Sequence, residues 1–315
     1  MHLRAPNRRK ALFTLAGLVA GAGAPGCTHK SEPEPDRLVV ATGPPGAVYR
    51  EIGGEIALLL DERLDRTEVE TVETGASRDN LSLLQEGRAH LGLANLDSIL
   101  ATEFSKEHDI SAIGRLYDSF VHLVVLREAP IGALSDLDGL RVSVGEVNSG
   151  TEFTVTQIIE KTGLQMEEVR LDQATSAEAL AQGSIDAMFS LTGLPTPAIT
   201  DLAEAREIRL IDLADTAEVM TDVSPDAYFP ASIPATTYHG VPARPTFSVP
   251  NLLLCGGGLS DDFVHTVIDT VHRGAPRLAS RRPEAAQINV RTGISTGIMP
   301  LHPGAAEWYR EHKPA

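Results

Sequence analysis

The stretch VSVGEVNSGTE (142–152) puts Ser149, Gly150 and Thr151 where a short β-branched run gives way to a helical pattern. Ser149 or Thr151 can cap that helix, and Gly150 lets a ligand approach the backbone closely. Free N–H groups and the helix dipole favour negative charge at such a point, by roughly 0.3–1 kcal/mol when exposed and more when buried. A phosphate loop would read G-x-x-x-x-G-K-[ST]. The lysine is missing here, and Glu146 and Glu152 flank the loop. The chemistry indicated is capture of a carboxylate, with Glu152 placed to accept a hydrogen bond from an ammonium or hydroxyl group. Simple helix capping is the alternative for a lone loop of this kind. A second loop of the same type, Thr42 to Tyr49, favours the binding reading.

Other residues fit the same site. ETGASRDN (73–80) is a third loop before a helix, in which Thr74, Gly75, Ala76 and Ser77 offer hydroxyls and open backbone. Asn80 either orients that loop or lies on a surface helix. Asn95 ends the strand of LANLDS, at the edge where α/β sheets bind ligands, or is a turn residue. Tyr49 either walls a ligand or packs on its own helix. Phe189 ends the strand of DAMFSL and serves the core or the site.

Enzyme and metal chemistry find little support. GISTG (293–297) matches the nucleophile-elbow pattern around Ser295. That motif needs a strand before and a helix after it, whereas Pro300 and Pro303 follow and no Asp lies downstream. It reads as a loop, and a serine hydrolase is the weakest of the functional readings. The ten histidines show no metal spacing, and DLDG (136–139) lacks the rest of a calcium loop. The dinucleotide fingerprint is missing too, so neither metal nor cofactor is expected. Aromatic residues make up 4% of the chain, which is poor for stacking bases or sugars.

The elements that must hold these residues follow a repeated order. RLVVATGPPGAVYREIGGEIALLLDERL (37–64) reads strand, loop, helix, with Ile52, Ile56, Leu59, Leu60 and Leu64 on one helix face. GLRVSVGEVNSGTEFTVTQIIEKTGL (139–164) repeats it. A helix ended by Gly87 and then a strand recurs as a helix ended by Gly183 and then a strand, each Gly suited to the left-handed turn after a helix. Alternating strands and helices predict an α/β fold of two similar lobes, each a mostly parallel sheet flanked by helices. The apolar runs FVHLVVLR (120–127) and FSVPNLLLC (247–255) are expected to cross between lobes as a two-strand hinge. Lobe 1 is then 37–122 with 250–315, and lobe 2 is 123–249. Loops 42–49 and 145–152 would face one cleft.

The chain carries a net charge of −16. Arg4, Arg8, Arg9 and Lys10 precede a short apolar run, Ala11 to Ala22, which reads as a secretory leader over residues 1–26. APGC (24–27) reads as a lipidation site at Cys27, giving a membrane anchor through lipid, with residues 27–36 as a tether. The paired arginines also fit twin-arginine export. Loss of those four basic residues takes the charge from −16 to about −20, a sign that repels nucleic acid. An anionic ligand must then be held by local dipoles. Of the two cysteines, Cys255 lies in an apolar strand and reads as a buried free thiol.

Several segments, in order from Leu38 to Glu311, resemble the TAXI-type solute receptors of TRAP transporters: VVATGPPGAVY, VETGASRDNLSLLQEGRAHLGLANLDS, LSDLDGLRVSVGEVNSGTE, SIDAMFSLTGLPTPAI and PLHPGAAEWYRE. The resemblance implies a two-lobed, periplasmic-binding-protein-like (type II) receptor outside the cytoplasmic membrane. Such a receptor is a monomer that delivers a small organic acid, glutamate or a related dicarboxylate, to TRAP permease subunits driven by an ion gradient. By position the site would draw on Tyr49, Thr74 to Ser77, Asn95, Ser149 to Glu152 and Phe189. Where that family's first loop is Gly-rich, this one carries Pro44 and Pro45, which makes it stiffer and poorer in donors. A lipoprotein that senses the same ligand for a signalling partner is the rival reading.

Overall fold

The computed structural model describes residues 35–104 and 110–313. The leader and Cys27 lie outside the described residues. Pro35 and Asp36, at the end of the expected tether, are anchored: the Thr67 hydroxyl donates to the Pro35 carbonyl at 2.8 Å, and the Glu68 N–H donates to that of Asp36 at 2.9 Å.

The chain runs β1 (Arg37–Ala41), α1 (Val48–Arg63), β2 (Glu68–Val72), α2 (Ser77–Gln85), β3 (Leu91–Asn95), α3 (Leu96–Leu100) and β4 (Ser111–Leu126). It continues through β5 (Arg141–Ser143), α4 (Gly150–Thr162), β6 (Glu167–Val169), α5 (Gln173–Gln182), β7 (Ala187–Thr192), α6 (Pro197–Ala205), β8 (Ile208–Leu210), α7 (Ala214–Val223) and β9 (Phe229–Ile233). β10 (Arg244–Cys255), α8 (Asp261–Arg281), α9 (Val290–Gly293) and α10 (Pro303–Glu311) complete it.

Among the described residues the strands join in one sheet ordered β2-β1-β3-β10-β4-β7-β5-β6, with β8 on β4 and β9 on β10. β1 pairs in parallel with β2 and β3, and β5 with β6 and β7. β4 and β10 run antiparallel to each other and to their neighbours, and link the two parallel groups. Both are longer than the hydrophobic runs predict, because β4 begins at Ser111 and β10 at Arg244. β10 changes partner along its length, from β9 over Arg244–Ser248 to β3 over Asn251–Cys255. Pro250, which has no N–H to give, falls in the gap between them.

The central strands β3 and β7 are buried along their whole length, as expected for strands covered on both faces. On one face Leu38 and Val40 meet Ile52, Ile56 and Leu60 of α1, Val264 and Val267 of α8, and Trp308 of α10. The opposite core is continuous across the sheet, joining Leu81, Leu84 and Ile99 to Val155, Ile158, Met220, Val249 and Leu252. Cys255 sits within the first of these cores, fully buried, and burial pushes its thiol up to about 12. Gly87 and Gly183 take positive φ after α2 and α5.

Candidate ligand-binding site

A cavity of about 30 Å³, room for about two water molecules, lies between the parallel groups of the sheet. Pro44, Ala47, Val48, Tyr49, Gly75, Ala76 and Asn95 wall one side. The other side comes from the starts of α4 and α5 and the end of β7. These are strand-end and helix-start positions, where sheets of this class take ligands.

The start of α4 is a donor surface. Ser149 caps the helix, its Oγ accepting the Glu152 N–H at 3.0 Å. Thr151 Oγ1 accepts the Leu191 N–H of β7, also at 3.0 Å. Each hydroxyl oxygen already accepts a backbone N–H, so its own proton is left for the cavity. The N–H groups of Gly150 and Thr151 belong to the first helical turn, for which the helix supplies no acceptor. Together these groups can hold an anion.

The opposite wall is a network of neutral polar groups. Asn95 Nδ2 donates to Asn251 Oδ1 at 3.1 Å, and Asn95 Oδ1 accepts the Ser77 hydroxyl at 3.0 Å. The Tyr49 hydroxyl donates to the same Asn251 oxygen, and Asn251 Nδ2 donates to Ser119 Oγ at 2.7 Å. Burial pushes the Tyr49 phenol far above its ordinary value, so it stays neutral. The β4–β10 register shifts between Asn251 and Leu252, an irregularity of the kind that re-aims side chains beside sites. Ala76 has φ +88°, in the region that side chains rarely adopt.

The halves touch at the cavity. A Cβ on Gly150 would lie 2.5 Å from Asn95 Oδ1 and 2.9 Å from Ser77 Oγ. A Cβ on Gly75 would meet the Val147 carbonyl oxygen at 2.7 Å. At the rim the Arg78 N–H donates to the Asn148 carbonyl at 3.2 Å, and the Arg78 guanidinium lies 5.5 Å from the Phe153 ring centre. Below, the buried Asp97 carboxylate of α3 accepts the Thr154 hydroxyl of α4 at 2.5 Å, the Tyr228 hydroxyl at 3.2 Å and the Ser98 N–H at 2.6 Å. Burial outweighs these bonds and pushes its carboxyl up to about 6.

Of the residues named from sequence, Tyr49, Gly75, Ala76, Asn95, Ser149, Gly150, Thr151 and Phe189 line the cavity. Thr42, Thr74 and Ser77 stand behind its wall. Asn80 decides their arrangement: fully buried, it donates from Nδ2 to the Thr42 and Leu93 carbonyls at 2.8 Å and accepts the Thr74 hydroxyl at 2.7 Å. Glu152 is not in the lining. Its carboxylate accepts the Asn148 N–H at 2.7 Å and the Arg170 guanidinium at 2.6 Å, so both of its oxygens are engaged outside the lining and it does not serve as the acceptor for an ammonium or hydroxyl group that the sequence predicts. Ser295 lies exposed in a turn after the short α9, with no strand before it, as a loop reading requires.

Sequence reasoning missed Asp172, Gln173 and Ser176 at the start of α5, and Asn251. Both had a signal. Asp172 before a helical run is an N-cap pattern, and it accepts the Thr175 N–H at 2.9 Å. Asn251 is a lone amide in the apolar run of β10. By sequence Glu146 only flanks the α4 loop. It lines the cavity with Gln173, and its Oε2 and the Gln173 Oε1 are buried without a hydrogen-bond partner.

Solved structures share this architecture. The alkanesulfonate-binding protein SsuA from Xanthomonas axonopodis pv. citri, bound to MOPS, matches with a TM-score of 0.52 and 20% identity, covering 90% of this chain and 86% of that one. A putative L-cystine ABC transporter from Listeria monocytogenes matches with a TM-score of 0.51 and 15% identity, covering 81% and 98%. The fold is therefore the two-lobed α/β fold of periplasmic-binding-protein-like receptors. A family model also aligns with residues 40–312, nearly all of the described chain, and on that match the protein belongs to the NMT1-like family.

Proposed function

We propose that this protein is an extracytoplasmic solute receptor that captures a small carboxylate between two closing lobes and hands it to membrane subunits of a transporter. The observation that carries this reading is the cavity itself. It is walled by loops from both halves of the sheet, has a donor surface at the start of α4, and is closed by contact of Gly150 with Asn95 and Ser77. A solute that touches both walls binds only the closed form and shifts the population toward it. The lobes in this reading are 37–122 with 250–315, and 123–249, with β4 and β10 as the hinge. Family membership and the binding-protein fold support a receptor. The motif resemblance supports a TRAP-type partner, and APGC supports a lipid on Cys27.

The test has two steps. A thermal-shift screen of amino acids and organic acids identifies a stabilising solute, as mass action on the folded state requires. Uptake of that solute, labelled, is then followed in vesicles carrying the membrane subunits. Collapse of the ion gradient is expected to stop uptake. Uptake that instead follows ATP and survives gradient collapse would overturn the TRAP assignment and leave the receptor in place. A screen without any stabilising solute would overturn the receptor.

A further inference from the structure

The α4–α5 wall of the cavity carries groups of opposite hydrogen-bonding sense. At α4 the hydroxyls of Ser149 and Thr151 each accept a backbone N–H and keep their own proton to give, beside the open N–H groups of the first turn, so the start of α4 is rich in donors. Beside it, before α4 and at the start of α5, sit two acceptors without a partner among the described residues, Glu146 Oε2 and Gln173 Oε1, both shut off from solvent. A buried carboxylate oxygen with no partner is costly, and a hydrogen bond from a cation is the strongest remedy. The lining supplies none: among its residues there is no Lys, Arg or His. The charges around Glu146 are acids. Burial raises its carboxyl above the ordinary value, and Asp172, Asp79 and Glu73 raise it further. Asp172 is bound to its own capping role through Thr175 and adds only negative charge.

We propose that Glu146 and Gln173 are the recognition pair for an ammonium group, so that the solute is a compact carboxylate carrying an ammonium and no second acid. This rests on the receptor reading above. The carboxylate lies on the first turn of α4, and the ammonium donates to Glu146 Oε2 and Gln173 Oε1. A second carboxylate would have to face Glu146 and Asp172 at close range with no counter-charge. That selects against the dicarboxylates the motif resemblance implies.

Matched pairs test it: L-alanine against L-lactate, L-leucine against its 2-hydroxy analogue, L-glutamine against L-glutamate, and succinate as a dicarboxylate. Each is titrated calorimetrically into the full-length receptor and into Glu146→Gln. At least one amino acid without a second acid is expected to bind at least tenfold more tightly than its hydroxy or dicarboxylic counterpart, and Glu146→Gln is expected to weaken it by roughly tenfold or more. Among the described residues Glu146 makes no side-chain hydrogen bond, so the variant's ligand-free melting temperature serves as the folding control and is expected to stay within a few degrees of the parent. A hydroxy acid or dicarboxylate that binds as well as the matched amino acid overturns the ammonium assignment and leaves the receptor standing. So does a binding amino acid indifferent to Glu146→Gln. If no probe of any class binds, the receptor reading falls with it.

Discussion

Gly150→Ala adds one methyl group at the place where the two halves meet. The backbone permits it: Gly150 opens α4 and is not among the glycines with positive φ. In an isolated helix the change would even help, by up to about 1 kcal/mol. Here the methyl carbon would lie 2.5 Å from Asn95 Oδ1 and 2.9 Å from Ser77 Oγ, well inside van der Waals contact. Asn95 cannot swing aside, because it is 3% exposed and tied to Ser77 and Asn251. Separation of the halves relieves the overlap without unfolding either. Overpacking of this kind costs about 1–3 kcal/mol. Charged to the closed form alone, that lowers its population, and with it solute affinity, by roughly 5- to 150-fold. Calorimetric titration measures the affinity, and small-angle scattering should show a larger radius of gyration for the ligand-free variant. Urea unfolding without ligand should stay within about 1 kcal/mol of the parent, because both halves keep their cores. A normally folded Gly150→Ala that binds with parental affinity would refute closure onto this contact.

Three further outcomes follow from the buried polar groups. Asp97 holds its proton up to about 6 against an ordinary 3.8. Between those values the unfolded chain releases a proton the folded one keeps, so this group lowers stability as pH rises, by about 3 kcal/mol across the window. Fully buried His122, pushed down to about 4 from 6.5, does the reverse: the unfolded chain takes up a proton the folded one refuses, and stability rises with pH by a similar amount. Asp97→Asn should unmask the histidine, giving urea midpoints that climb more steeply from pH 4.5 to 6.5 than in the parent; an equal or shallower climb counts against the assignment. Ala76→Gly should raise stability by about 1 kcal/mol, since relief of the φ +88° strain outweighs the added chain entropy; a loss on urea unfolding contradicts it. Asn80→Ala strips partners from the Thr42 and Leu93 carbonyls and from the Thr74 hydroxyl. It should cost about 2–4 kcal/mol and weaken solute binding through the loosened 74–76 loop, whereas a near-neutral change would show that Asn80 does not hold the loop.

The elements were legible because their signals are local. Strand-loop-helix order, the capping Ser149 and the Gly that ends a helix are all set within a few residues, and they place α1, α4 and α5 close to their observed bounds. The joining of the parallel groups into one sheet was not legible. It depends on β4 and β10 pairing from Ser111 to Phe120 across more than 100 residues of intervening chain, and residues such as Arg115 and Asp118 dilute the apolar signal of β4. These two pair with each other at 2.6 Å, which lets charged side chains stay on a central strand. Asn80 was ambiguous for a similar reason. A polar residue on a helix reads as exposed unless the carbonyls it serves are known, and those lie just after β1 and within β3.

The acids beside the α4 loop make the limit plainest. Glu146 and Glu152 lie six positions apart, and by sequence only Glu152 reads as a ligand residue. What separates them is Arg170, just after β6, which draws Glu152 outward with help from Glu168. The left-handed Asn148, at φ +62°, turns the loop so that its own N–H also meets Glu152. Glu146 has no such partner, and its buried oxygen is left at the cavity. A charged side chain thus becomes available to a ligand when no other charge claims it, and that is decided by residues distant in the chain. An acidic protein can still hold an anion, because the donors at α4 act at contact range in a closed space where the screened field of the whole chain counts for less. Glu152 paired with Arg170 adds no unpaired charge beside those donors, and Glu146, with its partnerless oxygen, is the place where a positive group is required.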